Sequence, residues 1–585
     1  MKYLIFASFL ICSLFVNAQN RVIVDGDFSE WTKQSSVFTD AAGDGGNSGV
    51  DFKKAQISND EEYLFLYIET GSEINLQDLN DVAVYIDIDN NSSTGNSENG
   101  IGAELVYNFG DRSGTFHSNA GGSTSIRHRD ISLITAPTVT SDRFEIGIKR
   151  QFEINGNTIN LDGSIKIVYK DNSSNGDVFP STSGGLNYSF VNNTLEPLPT
   201  YSIEKVTTSD FRIMSYNVER DGLFESSRAS EYSRIFKALQ PDIIGFQEIY
   251  NHTSKEVADK VESMLPSGIG EQWYHAMAEP DCHAISKYPI LKSAQIPGSN
   301  GSGNGAFLVD IPNSEVDMLL IVAHPPCCTN NAGRQIEVDE IMKFVREAKA
   351  GNGSIPLKDK APIVILGDMN FVGDHQQLTT LLTGDIVDEA TYGSDFTPDW
   401  DGNDLLDCKP FTNDVPFSFT WYSESSSFSP GRLDYMLYTG SNLSLKNTLT
   451  LFTNALPSDS LKKYNLASND VVTASDHLPV IADFRLKNKS TVSNRLQHVR
   501  LNNLNVYPNP TKGIFKIALS TPNNDLVTIE LVDGMGRTVA SVLEEVFSTR
   551  ETILSFNTEG LSSGTYYVKC STTHKTTYTK LLVYQ

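Results

Sequence analysis

Six short motifs fall in one order across the middle of the chain: Ser215-Tyr216-Asn217-Val218, Phe246-Gln247-Glu248, Ala323-His324-Pro325, Gly367-Asp368-Met369-Asn370, Arg432-Leu433-Asp434-Tyr435 and Ser475-Asp476-His477. Each lies in or beside an apolar run and offers an amide, a carboxylate or an imidazole. Such side chains hold a hard divalent cation, activate a water and stabilise a phosphorane-like transition state. Mg2+ keeps several of its waters, so Glu248 and Asp476 with an amide oxygen from Asn217 suffice to bind it. In-line attack needs charge stabilisation more than covalent chemistry, which His477 and His324 supply as imidazolium. Asp434 would raise the pKa of His477 and fix its ring. Singly each motif is weak, since Gly-Asp-x-Asn is commonly a turn and Ser-Asp-His a cap or surface cluster. Their order and co-occurrence predict metal-dependent phosphodiester chemistry.

The elements that must gather these motifs alternate between strand and helix. Over residues 209–487, apolar runs at Phe211–Met214, Ile243–Phe246, Met318–Ala323, Ile363–Leu366, Tyr435–Tyr438 and Val480–Phe484 read as strands. Apolar residues at helical spacing mark Arg228–Leu239, stopped by Pro241, and Arg334–Ala348. The mixture predicts an α/β sandwich. Residues 19–195 instead show short strands, Tyr63–Ile68, Val82–Ile88, Ile101–Phe109, Phe144–Ile148 and Ser164–Tyr169, cut by Gly/Asn/Ser/Asp turns, the pattern of an all-β sandwich. A polar stretch from Val191 to Asp210, punctuated by Pro197 and Pro199, reads as a linker, and residues 488–503 as a second. Residues 504–585 return to β, with Asp533-Gly534-Met535-Gly536-Arg537 as a hairpin turn.

Lys2, the apolar run Tyr3 to Val16 and the small-residue site Val16-Asn17-Ala18 make residues 1–18 a secretory signal peptide. No later apolar stretch is long enough to span a bilayer, so an exported, soluble chain beginning at Gln19 is expected. The net charge of −26 favours solubility and disfavours non-specific attraction to polyanions. A cation-loaded cleft still accepts a phosphodiester. Cys12 leaves with the signal, and the odd set Cys282, Cys327, Cys328, Cys408 and Cys570 excludes a complete intramolecular disulfide framework. Adjacent Cys327 and Cys328 either form a strained redox pair or, the favoured reading, bridge Cys282 or Cys408 or stay as thiols. No Cys/His spacing suits zinc.

Taken together, the six motifs resemble the endonuclease/exonuclease/phosphatase superfamily, the fold of deoxyribonuclease I. The resemblance implies a four-layer α/β sandwich, two mixed sheets face to face with helices outside and a cleft at one edge. It implies Glu248 as principal metal ligand, with Asn217 and Asp476 completing the site for Mg2+ or Mn2+. It further implies Asp368 as the group that orients or deprotonates water, Asn370 as a contact to the scissile phosphate, and Asp434–His477 as a carboxylate–imidazole pair. His324 would stand near the leaving-group oxygen. Deoxyribonuclease I pairs that histidine with a glutamate, but the corresponding Asp281-Cys282-His283-Ala284-Ile285 holds none, so the partner of His324 is unassigned. His283 reads as a surface residue, with substrate contact the alternative. Asn304-Gly305-Ala306-Phe307 begins the next strand. Trp421 and Tyr422 either stack on a base or sugar or lie in a core strand. Asp399, Asp401, Asn403 and Asp404 read as a solvated acidic loop.

At the N-terminus, Val24-Asp25-Gly26-Asp27-Phe28-Ser29-Glu30-Trp31 and the run Tyr85 to Gly95 resemble the family nine carbohydrate-binding type of β-sandwich. Asp87, Asp89 and Asn91 place oxygens on one side of a segment entering a turn, a calcium site with Glu104 as a further ligand. Asx stabilisation of the turn is the equal alternative. Trp31 is either a sugar-stacking or a core residue. At the other end, Tyr507-Pro508-Asn509-Pro510, Gly513, the Asp533–Arg537 turn and Leu561-Ser562-Ser563-Gly564-Thr565-Tyr566-Tyr567-Val568 resemble the type A sorting domain of the type IX secretion system. That resemblance implies passage across the outer membrane by the secretion machinery, then release or surface attachment.

The expectation is therefore a multidomain chain: an all-β sandwich, an α/β four-layer sandwich and a small all-β sandwich. Its expected activity is that of an exported phosphodiesterase acting on nucleic acid, DNA before RNA. A sphingomyelinase- or phosphoinositide-type lipid hydrolase is the alternative, and would need apolar docking loops, for which Ser425-Ser426-Ser427-Phe428 and Gly298–Gly305 are the candidates. A non-catalytic surface protein whose sandwich binds a glycan is the second alternative. Joint retention of Glu248, Asp368, Asn370, Asp434, Asp476 and His477 argues against it.

Overall fold

The computed structural model describes residues 20–487 and 505–584, apart from 47–48, 120, 193–194, 209, 269–270, 280, 300–302, 313, 521–524, 534–536, 548–550, 559 and 572–575. The expected signal peptide, the linker at 488–503, part of the Gly298–Gly305 loop and the glycines of the Asp533–Arg537 turn lie outside the described residues. The chain divides into two compact units, 1–489 and 490–585. No helix among the described residues is long and apolar enough to cross a membrane.

Two antiparallel sheets form the N-terminal sandwich. One orders its strands Val37–Thr39, Lys54–Asn59, Tyr63–Ile74, Ser141–Lys149 and Ile134–Ala136; the other centres on Ser164–Asp171, Val82–Asp87 and Leu105–Asn108. Alternate residues of the facing strands, among them Leu64, Leu66, Val84, Ile86, Ile146 and Ile167, fill the space between. The run expected as one strand over 101–109 is two, Ile101–Ala103 and Leu105–Asn108, broken at Glu104.

In the central part, one six-stranded sheet runs Tyr274–Glu279, Cys282–Ser286, Ile243–Gln247, Phe211–Asn217, Val480–Leu486, Leu443–Thr450. The other runs Ile290–Pro297, Gly303–Val309, Met318–Ala323, Ile363–Asp368, Asp434–Tyr438, Leu406–Asp407. Their strands are apolar on both faces because each sheet is covered twice. Ile213, Ile243, Phe307, Leu320, Leu366 and Ala482 pack sheet on sheet. Outside, helices Ala229–Leu239 and Ser254–Met264 share one apolar cluster with Tyr216, Ile244 and Phe246. Helix Asn331–Lys349 shares another with Ile321 and Ile365. This is the expected four-layer sandwich. Strand Phe211–Asn217 is parallel to Ile243–Gln247, and Met318–Ala323 to Ile363–Asp368. Their C-terminal ends therefore deliver Asn217, Glu248, His324 and Asp368 to one edge. Across the first sheet, fully buried Arg212 donates to Asp483 through Nε (2.6 Å) and Nη2 (2.8 Å) and fixes strand Val480–Leu486 beside Phe211–Asn217.

The two sandwiches of this first unit share a core. Val24 N donates to Pro416 O and Ser418 N to Val24 O, both at 3.0 Å, and between them Phe417 lies edge-on to Tyr63 with ring centroids 4.8 Å apart. Phe417 is 1 % exposed, and burying a ring of that size contributes about 2–3 kcal/mol. The polar stretch read as a linker is tied down too: Ile203 is buried, and Ser202 exchanges hydrogen bonds with Asn447. In the second unit, a three-stranded sheet (Asn505–Tyr507, Ile514–Ser520, Glu551–Asn557) and a four-stranded sheet (Thr538–Phe547, Asp525–Asp533, Gly564–Ser571, Thr576–Val583) enclose Phe515, Ile517, Ile529, Val568 and Leu581.

Candidate active site

Asn217, Glu248, His324, Asp368 and Asp434 reach the edge of the central sandwich from strand ends, and Asp476 and His477 from the loop between helix Asp470–Ala474 and strand Val480–Leu486. Asp368 is the last residue of its strand, and Gly367 before it lies at φ +142, where an added Cβ would collide with the Ala323 carbonyl. The tight approach of these two strands sets His324 beside Asp368. Asn217 Nδ2 donates to Glu248 Oε1 and Asp368 Oδ2, each at 3.0 Å, while its Oδ1 accepts from Glu219 N. Asn217 thus enters the site through its nitrogen, bracing the two carboxylates, and differs from the expectation that it offers an oxygen to the metal. Glu248 takes a left-handed conformation (φ 63), and its Oε2 accepts from Arg220 N at 2.9 Å. Asn370, also left-handed (φ 49), donates from its backbone to Asp368 Oδ1 and from Nδ2 to Pro325 O, both at 3.0 Å.

Two carboxylate–imidazole pairs flank Asp368. His477 Nδ1 lies 2.8 Å from Asp434 Oδ2, and its Nε2 lies 3.4 Å from Asp368 Oδ2. On the other side, His324 Nδ1 lies 2.6 Å from Asp281 Oδ2, with Nε2 3.6 Å from Asp368 Oδ2 and 3.9 Å from Glu248 Oε1. Asp281 is the partner that sequence reasoning left unassigned. Burial pushes both rings toward neutrality, but the carboxylates outweigh it. His324 rises to about 9 through Asp281, Asp368 and Glu248, and His477 to about 10 through Asp434 and Asp368. Burial raises the Asp368 carboxyl, opposed by the two imidazoliums. Thr420 Oγ1 accepts from Leu433 N and Asp434 N, and Ser475 Oγ donates to Asn217 O, so the two pair-bearing loops are anchored to the sheets.

Asp476 stands beside this group, with Oδ2 accepting from Trp421 Nε1 at 3.0 Å. Trp421, half-buried, is therefore a site residue that orients a carboxylate, and Tyr422 packs on Phe419 and Phe452. Among the described residues the metal-competent cluster at this edge is Glu248, His324 and Asp368, whose ligand atoms lie within 4.8 Å of one another. Two close carboxylates with hard oxygens fit a divalent cation.

Several expectations change. His283 is fully buried in strand Cys282–Ser286, its Nε2 3.0 Å from Ile249 O, and is no surface residue. Cys327 and Cys328 are disulfide-bonded to each other, while Cys282, Cys408 and Cys570 are buried thiols. Asp399 is buried and accepts from Ser441 N and Trp400 N, a loop clamp instead of a solvated acid. Trp31, 1 % exposed, donates to Glu145 Oε1 and offers no face to a sugar. In the N-terminal sandwich the carboxylates of Asp87, Asp89 and Glu104 converge within 4.8 Å. Asp87 Oδ1 and Glu104 Oε1 are buried without a hydrogen-bond partner, whereas the Asn91 side chain accepts from Ser93 N and serves its own turn. Glu104, expected as a further ligand, thus stands with Asp87 and Asp89.

The Endonuclease/Exonuclease/phosphatase family matches residues 214–477, and the secretion system C-terminal sorting domain matches residues 505–584. No curated protein matches the chain. Among solved structures, the human Nocturnin catalytic domain is 17% identical, with 48% of this chain and 95% of that chain covered and a TM-score of 0.31. ANGEL2, a 2',3'-cyclic phosphatase, is 17% identical over 50% of this chain and 100% of its own, with a TM-score of 0.33. Sphingomyelinase C from Streptomyces griseocarneus is 14% identical over 47% and 99%, with a TM-score of 0.29. The central domain of this chain therefore belongs to the Endonuclease/Exonuclease/phosphatase family, hydrolases of phosphoester bonds, and a secretion system C-terminal sorting domain follows it.

Proposed function

We propose that the chain is an exported, divalent-cation-dependent nuclease that hydrolyses phosphodiesters of DNA, and of RNA second. The observation that carries this reading is the symmetry about Asp368: one imidazole pair on each side of a buried carboxylate. Diester hydrolysis needs a base for the attacking water and an acid for the leaving oxygen. A bound Mg2+ or Mn2+, held by Glu248 of the Glu248–His324–Asp368 cluster with Asp476 proposed as a further ligand, would supply Lewis acidity toward the phosphate and a lowered water pKa. Asp368 accepts the proton of the attacking water as its oxygen bonds to phosphorus. His477, held charged by Asp434, and the second amide proton of Asn370 stabilise the charge on the equatorial oxygens. His324, held by Asp281, gives its proton to the departing oxygen as the P–O bond breaks.

Nucleic acid is favoured over lipid because one of the two candidate docking loops, Ser425–Phe428, is not free. His128 Nε2 donates to Ser426 O (3.0 Å), Arg129 Nη1 donates to Glu424 O (2.7 Å), and Arg112 stacks 4.2 Å from the Phe428 ring. A loop pinned on the N-terminal sandwich cannot insert into a bilayer without losing these contacts. The sorting domain supports export, with residues 1–18 as the proposed signal. Asp87, Asp89 and Glu104 are proposed as a calcium site, since two buried, unpartnered carboxylate oxygens are costly without a cation. Glycan binding keeps no support from Trp31.

The test is to incubate the chain from Gln19 onward with plasmid DNA, RNA, sphingomyelin and a bis-aryl phosphodiester, with Mg2+, Mn2+ or chelator, beside His477→Ala. Chelator-sensitive nicking of DNA, lost in the variant, is expected. Turnover of sphingomyelin with DNA untouched would overturn the nuclease assignment and leave the phosphodiester chemistry standing.

A further inference from the structure

We propose that the N-terminal sandwich is a working part of the catalytic unit, and that Thr138 is a positioning residue for the loops that carry Asn370 and Asp434. The inference rests on the proposed phosphodiester chemistry for its kinetic arm alone. Thr138 lies in the connection between strands Ile134–Ala136 and Ser141–Lys149 of the sandwich. Its Oγ1 is 2.7 Å from Phe371 O and 3.2 Å from Arg432 O. One hydroxyl thus bridges the residue just after Asp368-Met369-Asn370 and the segment that leads into Asp434.

The neighbouring contacts repeat the arrangement. Asn75 Nδ2 donates to Val372 O at 2.8 Å, and Thr140 N donates to Gly373 O at 2.8 Å. The three consecutive carbonyls of Phe371, Val372 and Gly373 are therefore each satisfied by a donor from the sandwich. His375 N returns a bond to Thr140 Oγ1 at 3.0 Å. Val139, 2 % exposed, joins Met369, Phe371 and Tyr435 in one apolar cluster, so the sandwich also fills the space behind the Asn370 loop. Approach is this close because residue 431 is glycine: a Cβ there would lie 2.5 Å from Thr138 Cγ2.

Asn370 sits in a left-handed conformation that asparagine adopts only where its surroundings hold it, so the anchoring of residues 371–373 decides whether that geometry persists. A buried carbonyl left without its donor is destabilising. Strung across three carbonyls and Arg432 O, the sandwich selects one arrangement of the loop and with it the distance from Asn370 to Asp368. The sandwich is thereby a scaffold for the chemistry instead of a detachable binding module.

Thr138→Val removes the hydroxyl and keeps the shape; Thr138→Ser keeps the hydroxyl. Both are compared with wild type in the full chain, by amide hydrogen exchange over 369–376 and 429–435 and by kcat and KM on a bis-aryl phosphodiester with Mn2+. Exchange in both segments is expected to rise about 10-fold in Thr138→Val, as local opening becomes easier. A fall in kcat of about 10-fold at nearly unchanged KM should accompany it, because the loop positions groups for the transition state. Thr138→Ser should restore both. If Thr138→Val does not fold, Asn75→Ala, which removes the donor to Val372 O, takes its place with the same expectation. Unchanged exchange in both segments would overturn the proposal. Absence of diester turnover by the wild type would refute the proposed activity, and the exchange arm would still decide this one.

Discussion

Asp281→Asn is the sharpest probe of the site, because it alters one charge and little else. The carboxylate lies 2.6 Å from His324 Nδ1, and asparagine keeps an acceptor oxygen of the same size there. His324 stands at about 9 against an ordinary 6.5, although burial alone would lower it. That difference favours the charged ring by about 3 kcal/mol. Asp281 is foremost among the groups that supply it, ahead of Asp368 and Glu248. A general acid must be protonated, so activity is lost as pH climbs through its pKa; the variant should lose it at lower pH than wild type. A bound cation would lower the ring in both enzymes by neutralising Glu248 and Asp368, which leaves the difference between them intact. The assay is kcat/KM against pH on two diesters, one with an alkyl and one with a nitrophenyl leaving group. At pH 8 the alkyl substrate should slow by up to about 10-fold, and the nitrophenyl substrate by far less, since nitrophenolate departs without a proton. Recovery of the variant toward pH 6 should follow. An alkaline limb that does not move, or equal losses on both substrates, would refute the assignment of His324 as leaving-group acid held by Asp281.

Two further predictions concern stability in the N-terminal sandwich. Calcium at 100 times its dissociation constant should stabilise the protein by about 2.7 kcal/mol, read as a rise in Tm, and Asp87→Ser should abolish the rise; identical melting with calcium and with chelator would exclude the site. Asp25 is raised to about 6 from 3.8, first by burial and also by the charge of its neighbours Glu30 and Asp27. A carboxyl raised on folding contributes stability that is full below about pH 4 and is lost as pH rises through about 6, a loss of about 3 kcal/mol by pH 8. Asp25→Asn should therefore melt higher than wild type at pH 8 and converge with it at pH 4, by calorimetry; a gap that does not shrink with falling pH would contradict the sign.

Strand ends explain why so much of the candidate site could be read from sequence. Asn217, Glu248, His324 and Asp368 each come at the end of an apolar run, and parallel pairing of those runs sends all four to one edge. Asp281 was missed because the sought partner was a glutamate, yet its signal was available. Phe246 pairs with His283 and Gly245 with Ala284, so the same antiparallel register carried past the strand puts Asp281 opposite Glu248. The orientation of the Asn217 amide has no signal in the sequence: either end of an amide satisfies a motif, and the Glu219 N–H sets which end faces the two carboxylates. Likewise, composition ranks no cysteine pairing, and the Cys327–Cys328 bond depends on a local turn with Cys328 at φ 65.

The joining of the two sandwiches had no such signal, because each partner's contribution looks ordinary in its own context. Phe417 reads as one more aromatic in a turn-rich stretch, and Val139 as an apolar residue near a strand. Periodicity reports that a side chain is buried, not which body buries it. A polar, proline-marked stretch between the two then suggests independence, as Val191 to Asp210 did. The physical consequence runs the other way. A chain cut at residue 209 would expose Phe417 and strip donors from Phe371, Val372 and Gly373 O, destabilising first the loop that carries Asn370. Inactivity of such a fragment would report the loss of the sandwich, not the absence of a catalytic site.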